Sequence, residues 1–256
     1  MKSDIRTEKN KVHDLGMAEK ILRFRKSERL MHWALAVPFL LCLGTAVVLF
    51  VYYNPDPNRP YRTLFGAIHR VAGIAFIVLP VLALLFGKGD FRSHVYNIRQ
   101  AWGWTKDDIK WLMLMGIATI NKKIELPEQG KFNAAEKLNF IYLMVSYPLY
   151  IVTGFLIWET DAAFNAWSLH FGLALLALPL ILGHLFMATI NPESRVGLSG
   201  MFSGYVDRHW AKHHYGKWFR EHFGTDKKVT RISSAKRTAE KEQARVQSQV
   251  KLKKSA

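Results

Sequence analysis

The 21 residues from Trp33 to Tyr53 and the 25 from Ala166 to Ile190 contain no Asp, Glu, Lys or Arg. A helix rises about 1.5 Å per residue, so either stretch reaches across a hydrocarbon layer of roughly 30 Å. The segregation is notable because the 256 residues include 36 Lys+Arg against 20 Asp+Glu, a formal charge of +16, while half are apolar. An ordinary soluble domain is excluded.

Two further runs complete the set. Span two is expected over 64–86, interrupted by His69 and Arg70, and span three over 138–158; the first and fourth are expected over 32–53 and 166–190. Pro38, Pro80, Pro148 and Pro179 fall inside these runs, which membrane helices tolerate because neighbours satisfy the freed carbonyls. The fold class is therefore all-α, a four-helix transmembrane bundle.

Basic residues fix its expected orientation. Nine Lys/Arg precede span one, nine lie between Gly87 and Lys137, and 15 follow Asn191. The connector between spans one and two holds only Arg59 and Arg62, and that between spans three and four holds none. By the positive-inside rule both termini are cytoplasmic. The charge then reads as topology and anionic-lipid contact, not nucleic-acid binding. The polar start, residues 1–26, has no apolar core followed by a cleavage site, so span one is expected to direct insertion. Residues 27–190 form the membrane core, with a cytoplasmic loop over 87–137. In that loop Thr105 and Asp108 resemble a helix start, and the apolar run Trp111–Ile120 is too short to span, so an interfacial helix is expected. A juxtamembrane segment, 191–224, precedes a basic tail, 225–256, whose composition predicts disorder.

The only cysteine, Cys42, permits no internal disulfide, iron–sulfur cluster or covalent haem attachment, so a metal centre must use histidine. Four of ten histidines touch the spans: His32, His69, His170 and His184. Ionisable groups at membrane depth are costly and mark function by default, the bland alternative being a hydrogen bond to a neighbouring helix. On an antiparallel bundle, His69 and His170 lie near the outer face and His32 and His184 near the inner one. His32 looks shallow, which places the start of helix one near Ser27. The 14 residues between His170 and His184 bring them back to one helix face about 21 Å apart, with Ala174, Ala177 and Gly183 nearby and Gly73 one turn past His69. Facing imidazoles at two depths fit two haem b groups with bis-histidine ligation. A metal transporter would want thiolates or carboxylates beside them, and a proton path would want acids within the spans, where none occurs.

Several segments carry a family resemblance: Glu28 to Trp33 (E-R-L-M-H-W), Ile68-His69-Arg70, Gly130 to Lys137 (G-K-F-N-A-A-E-K), Val152-Thr153-Gly154, Leu169-His170, Gly183-His184 and Asp207 to His214 (D-R-H-W-A-K-H-H). Over about residues 21–224 the chain resembles the cytochrome b (gamma) subunits of membrane-bound respiratory formate dehydrogenases, within the cytochrome b561 and nickel–iron hydrogenase cytochrome b superfamily. The resemblance implies a bacterial inner-membrane complex of anaerobic respiration. In it a molybdenum or tungsten alpha subunit oxidises formate, an iron–sulfur beta subunit collects the electrons, and this subunit passes them to quinone. It implies axial ligation of the outer haem iron by His69 and His170 and of the inner by His32 and His184, with Asn133 and Ala135 at the quinone pocket. The family tends to have glycine where Ala135 stands.

Some positions keep two readings. Asn133, three residues before Glu136, also reads as a helix cap. Arg70 is a candidate partner for a haem propionate or an anchor at the lipid interface. Lys131 and Lys137 are expected at the surface, and His13, His94, His209, His213, His214 and His222 in solvent or at the interface. A hydrogenase or thiosulfate-type reductase is the alternative partner, and a haem-free transporter the alternative class.

Overall fold

A computed structural model of the chain describes residues 20–51, 60–87, 90–121, 123–160 and 164–224. The expected disordered tail lies outside the described residues. Four long helices dominate: α1 (Lys26–Val51), α2 (Pro60–Phe86), α5 (Ala134–Glu159) and α6 (Phe164–Leu185), the last prolonged by a π-helical turn, Phe186–Ile190. Each is long and apolar enough to cross a membrane. Their outward faces carry large apolar side chains: Val71 is 67% exposed, Leu85 70% and Phe164 76%. In water such continuous apolar surface would be a liability; against lipid it is the expected covering.

The four helices are arranged as two hairpins. α1 packs closely along α2, and α5 along α6. Between hairpins the contacts run mainly through side chains: the Tyr147 hydroxyl donates to the Phe76 carbonyl (3.1 Å), Phe39 meets Tyr150 edge-on, and Phe50 stacks on Phe171.

At the end where α1 begins and α6 finishes, the remaining described elements form a cap. These are β1 (Lys20–Leu22), α3 (Phe91–Trp102), α4 (Lys106–Ile120), a 3-10 turn (Arg195–Gly197), α7 (Leu198–Ser203), β2 (Tyr205–Asp207), α8 (Arg208–His214) and α9 (Gly216–Phe223). The strands pair antiparallel, Ile21 opposite Val206. Gly204 precedes β2 at φ +92°, and its carbonyl accepts from the Arg23 and Phe24 N–H groups; a Cβ there would lie 2.7 Å from the Phe24 oxygen, so glycine is required. Ile21, Val206, Ala211, Tyr215, Trp218 and Phe219 form the cap's apolar core.

Three features depart from the sequence expectations. The fold is not purely helical, because β1 and β2 form a small sheet. The 87–137 segment holds two helices, α3 as well as α4; the polar side chains interleaved through α3 hid it. Lys131 and Lys137 are not surface residues: each is 5% exposed. Lys131 pairs with Glu28, which also accepts from Asn97 Nδ2 (2.6 Å) and from the Arg25 N–H (2.7 Å). Lys137 donates to Asp108 Oδ1 and to the Gly103 carbonyl, both at 2.8 Å. Burial pushes the Lys131 ammonium below the ordinary lysine range, against the opposing pull of Glu28. Burial would raise Asp108, but the bonds from Lys137 and Thr105 outweigh it and hold that carboxyl below its usual range.

Candidate functional site

His32 lies two turns into α1 and His184 in the last turn of α6, so both sit toward the cap. Their ring centres are 6.3 Å apart, with planes inclined at 52°. His69 on α2 and His170 on α6 lie toward the far end, 6.2 Å apart and inclined at 62°. Both pairs bridge the two hairpins, and α6 supplies one ring to each.

The spacing discriminates between two explanations. Imidazoles sharing a direct hydrogen bond bring their ring centres to about 5 Å, from a contact near 3 Å and roughly 1 Å inside each ring. A metal bound by both, at about 2 Å per metal–nitrogen bond, puts them about 6 Å apart. The observed separations match the second. Among the described residues no third His, Cys, Asp or Glu joins either pair to make a protein-only metal site. A metal held there takes its remaining ligands from a non-protein group, as iron does from a porphyrin. Small residues accompany the rings: Ala177, midway between the α6 histidines, is fully buried, and a Cβ added at Gly73 or Gly183 would meet no atom within 4 Å. The donor set and its surroundings fit haem.

Side chains the sequence reading overlooked support the far pair. Thr45 Oγ1 lies 2.9 Å from His69 Nδ1, the Cys42 carbonyl 3.1 Å from the same nitrogen, and Thr153 Oγ1 2.8 Å from His170 Nδ1. The only signal for the threonines was a hydroxyl within an otherwise apolar run, one of them inside the V-T-G segment.

The cap borders the other pair. Trp33 packs edge-on against His32 and donates its Nε1–H to the Met201 carbonyl (3.1 Å) while its ring meets Phe202. Arg29 donates to the Phe202 carbonyl. The π-helical turn starts two residues after His184, a distortion common beside functional positions.

Asn133 caps α5: its Oδ1 accepts from the Glu136 N–H (2.9 Å), and the Glu136 carboxylate accepts from the Asn133 N–H (2.8 Å). Its neighbours include the Tyr215 hydroxyl, which donates to Glu136 Oε1 at 2.9 Å; burial drives the Tyr215 pKa upward. Asn133 and Ala135 are half-buried, and these contacts lead to the cap, not to the histidine pairs. Arg70 is exposed, its guanidinium 5.5 Å from the Trp158 ring centre. His214 is half-buried against Trp210, so it is not simply solvated, and burial lowers its pKa; His222 is exposed, with its ring 5.3 Å from that of Trp218. A surface depression of about 410 Å³, lined by Asp107, Lys110 and Lys217 among others, opens on the cap and includes none of the histidines.

Four apolar helices carrying two facing imidazole pairs define an integral membrane protein of the cytochrome b type. The chain belongs to the prokaryotic cytochrome b561 family, whose sequence pattern matches residues 23–204, and membership implies haem b. It is 27% identical over 222 residues to the cytochrome b556(Fdn) subunit of the nitrate-inducible formate dehydrogenase of Escherichia coli K12, covering 81% of this chain and 94% of that protein. The cytochrome b556 subunit of Haemophilus influenzae formate dehydrogenase is 28% identical over 220 residues, 79% and 83% of the two chains. The putative cytochrome YdhU of E. coli K12 is 27% identical over 199 residues, 73% and 75%.

Proposed function

We propose that this chain is the membrane-anchoring dihaem cytochrome b subunit of a formate dehydrogenase, carrying electrons from an iron–sulfur partner across a bacterial inner membrane to quinone. Its termini are cytoplasmic in this reading, supported by the basic residues concentrated on the cap side. The observation that carries it is the presence of two hairpin-bridging histidine pairs about 21 Å apart along α6. Two relatives are cytochrome b556 subunits of formate dehydrogenases, which supports that partner; the proposal adds an iron–sulfur beta subunit and a molybdenum or tungsten alpha subunit.

Each histidine pair would hold one haem b, which when bound would supply a one-electron iron couple suited to electron transfer. His69 and His170 hold one such group near the periplasmic face, and His32 and His184 hold the other near the cytoplasm. Quinone is reduced beside the cap-side pair, with Asn133 and Ala135 lining its pocket. The Asn133 Oδ1 is engaged by the Glu136 N–H and its side chain also bonds the Tyr215 hydroxyl, so in this reading the cap contacts and the pocket share one residue. The Arg70–Trp158 contact favours Arg70 as an interfacial anchor over a propionate partner.

In the purified complex His184→Ala is expected to remove one of two haems and abolish quinone reduction while leaving formate-to-dye activity. Persistent quinone reduction would refute the assignment. One second reading keeps the same cytochrome and changes its partner to a hydrogenase or a thiosulfate-type reductase; the match to YdhU, a cytochrome whose name specifies no partner, is compatible with it. The co-purifying polypeptides decide between them.

A further inference from the structure

The far histidines are held by the same device on two different helices. On α1, Thr45 Oγ1 lies 2.7 Å from the Leu41 carbonyl oxygen and 2.9 Å from His69 Nδ1. On α5, Thr153 Oγ1 lies 2.6 Å from the Leu149 carbonyl oxygen and 2.8 Å from His170 Nδ1. A hydroxyl has one proton, and a carbonyl oxygen can only accept. Each threonine therefore donates to its own helix, four residues back, and presents a lone pair to the imidazole. Nδ1 must then carry the ring hydrogen; the Cys42 carbonyl makes the same demand of His69. Nε2 keeps its lone pair on both rings. Thr45 is 6% exposed and Thr153 3%, so water does not compete freely for these bonds.

We propose that Thr45 and Thr153 are a matched pair of positioning residues that fix the tautomer and plane of His69 and His170, and thereby set the reduction potential at the far site. The proposal rests on the haem reading above. An acceptor on Nδ1–H makes Nε2 a stronger donor, which favours the oxidised iron; removing it favours the reduced iron. The cap-side pair is the internal control, since neither His32 nor His184 has a hydrogen-bond partner among the described residues.

The test is a redox titration of the purified, haem-loaded full chain, followed optically and by low-temperature electron paramagnetic resonance, in the wild type, Thr45→Val, Thr153→Val and the two serine variants. Valine keeps the volume and removes the acceptor. Each valine variant is expected to shift the far site's one-electron equilibrium toward reduction by up to tenfold, about 59 mV, and to change its low-spin signal. The cap-side site stays unmoved, which also shows that the variant is folded, and serine restores the wild-type values. A wild type with two haems whose valine variants move neither site, or both equally, overturns the clamp alone. Serine behaving as valine does the same. A wild type with no haem at the far site overturns the haem reading and the clamp with it.

Discussion

The two histidine pairs have nearly the same ring separation but are held in different ways. The far pair is fixed from within the spans, by a threonine on each of two helices and a backbone carbonyl. The cap-side pair is fixed from outside: α1 is anchored through Glu28, one turn before His32, and through Trp33 and Arg29 to α7. Threonine and carbonyl serve in lipid because they satisfy a ring N–H without adding charge. Buried ion pairs are tolerated in the cap, where each charge has several partners.

The difference makes damage at one end separable from damage at the other. The largest effect is expected from His69→Ala, which should remove the far haem completely and leave the cap-side signal, read by haem content and low-spin spectrum. Loss of both would show that the two ends are not independent.

Lys131→Met should come next. It strands the Glu28 carboxylate, and removing one member of a buried pair costs on the order of 3–5 kcal/mol. The Asn97 and Arg25 donors that remain argue for the low end. Thermal unfolding in detergent should show the cap-side haem lost first; loss of the far haem first would contradict the division.

How much of this was legible in the sequence follows from the range of each interaction. The spans and the histidine pairing could be read from local charge depletion and helical periodicity, because lipid thickness and 3.6 residues per turn fix depth and face. The capping boxes of α4 and α5 are local and were equally readable. Lys131 was misread because its partner Glu28 is 103 residues away and a lysine in a basic loop ordinarily faces water. The pairing of Ile21 with Val206 has the same cause. Thr45 and Thr153 were passed over because threonine in an apolar helix is usually satisfied by its own backbone. Here that bond exists too, and the histidine uses the remaining lone pair.

A smaller effect is expected at acid pH. The folded pKa of Asp108 is depressed, so its stabilising contribution is complete above the unfolded value of about 3.9 and is lost as pH falls through the lower folded value. Unfolding followed below about pH 4 should show a steep loss that Asp108→Asn flattens; an unchanged slope would place the acid sensitivity elsewhere. The smallest effect is expected from Asn133→Ala, about 1 kcal/mol for a lost helix cap, measured by thermal unfolding. A much larger fall in quinone reduction than in stability would sharpen its proposed role in the pocket.

The central claim is that each histidine pair grips one haem. Its most direct test is the haem b content per purified chain together with the spin state of the iron. Two low-spin haems that do not bind carbon monoxide are predicted; a single haem, none, or a high-spin centre open to carbon monoxide would contradict it.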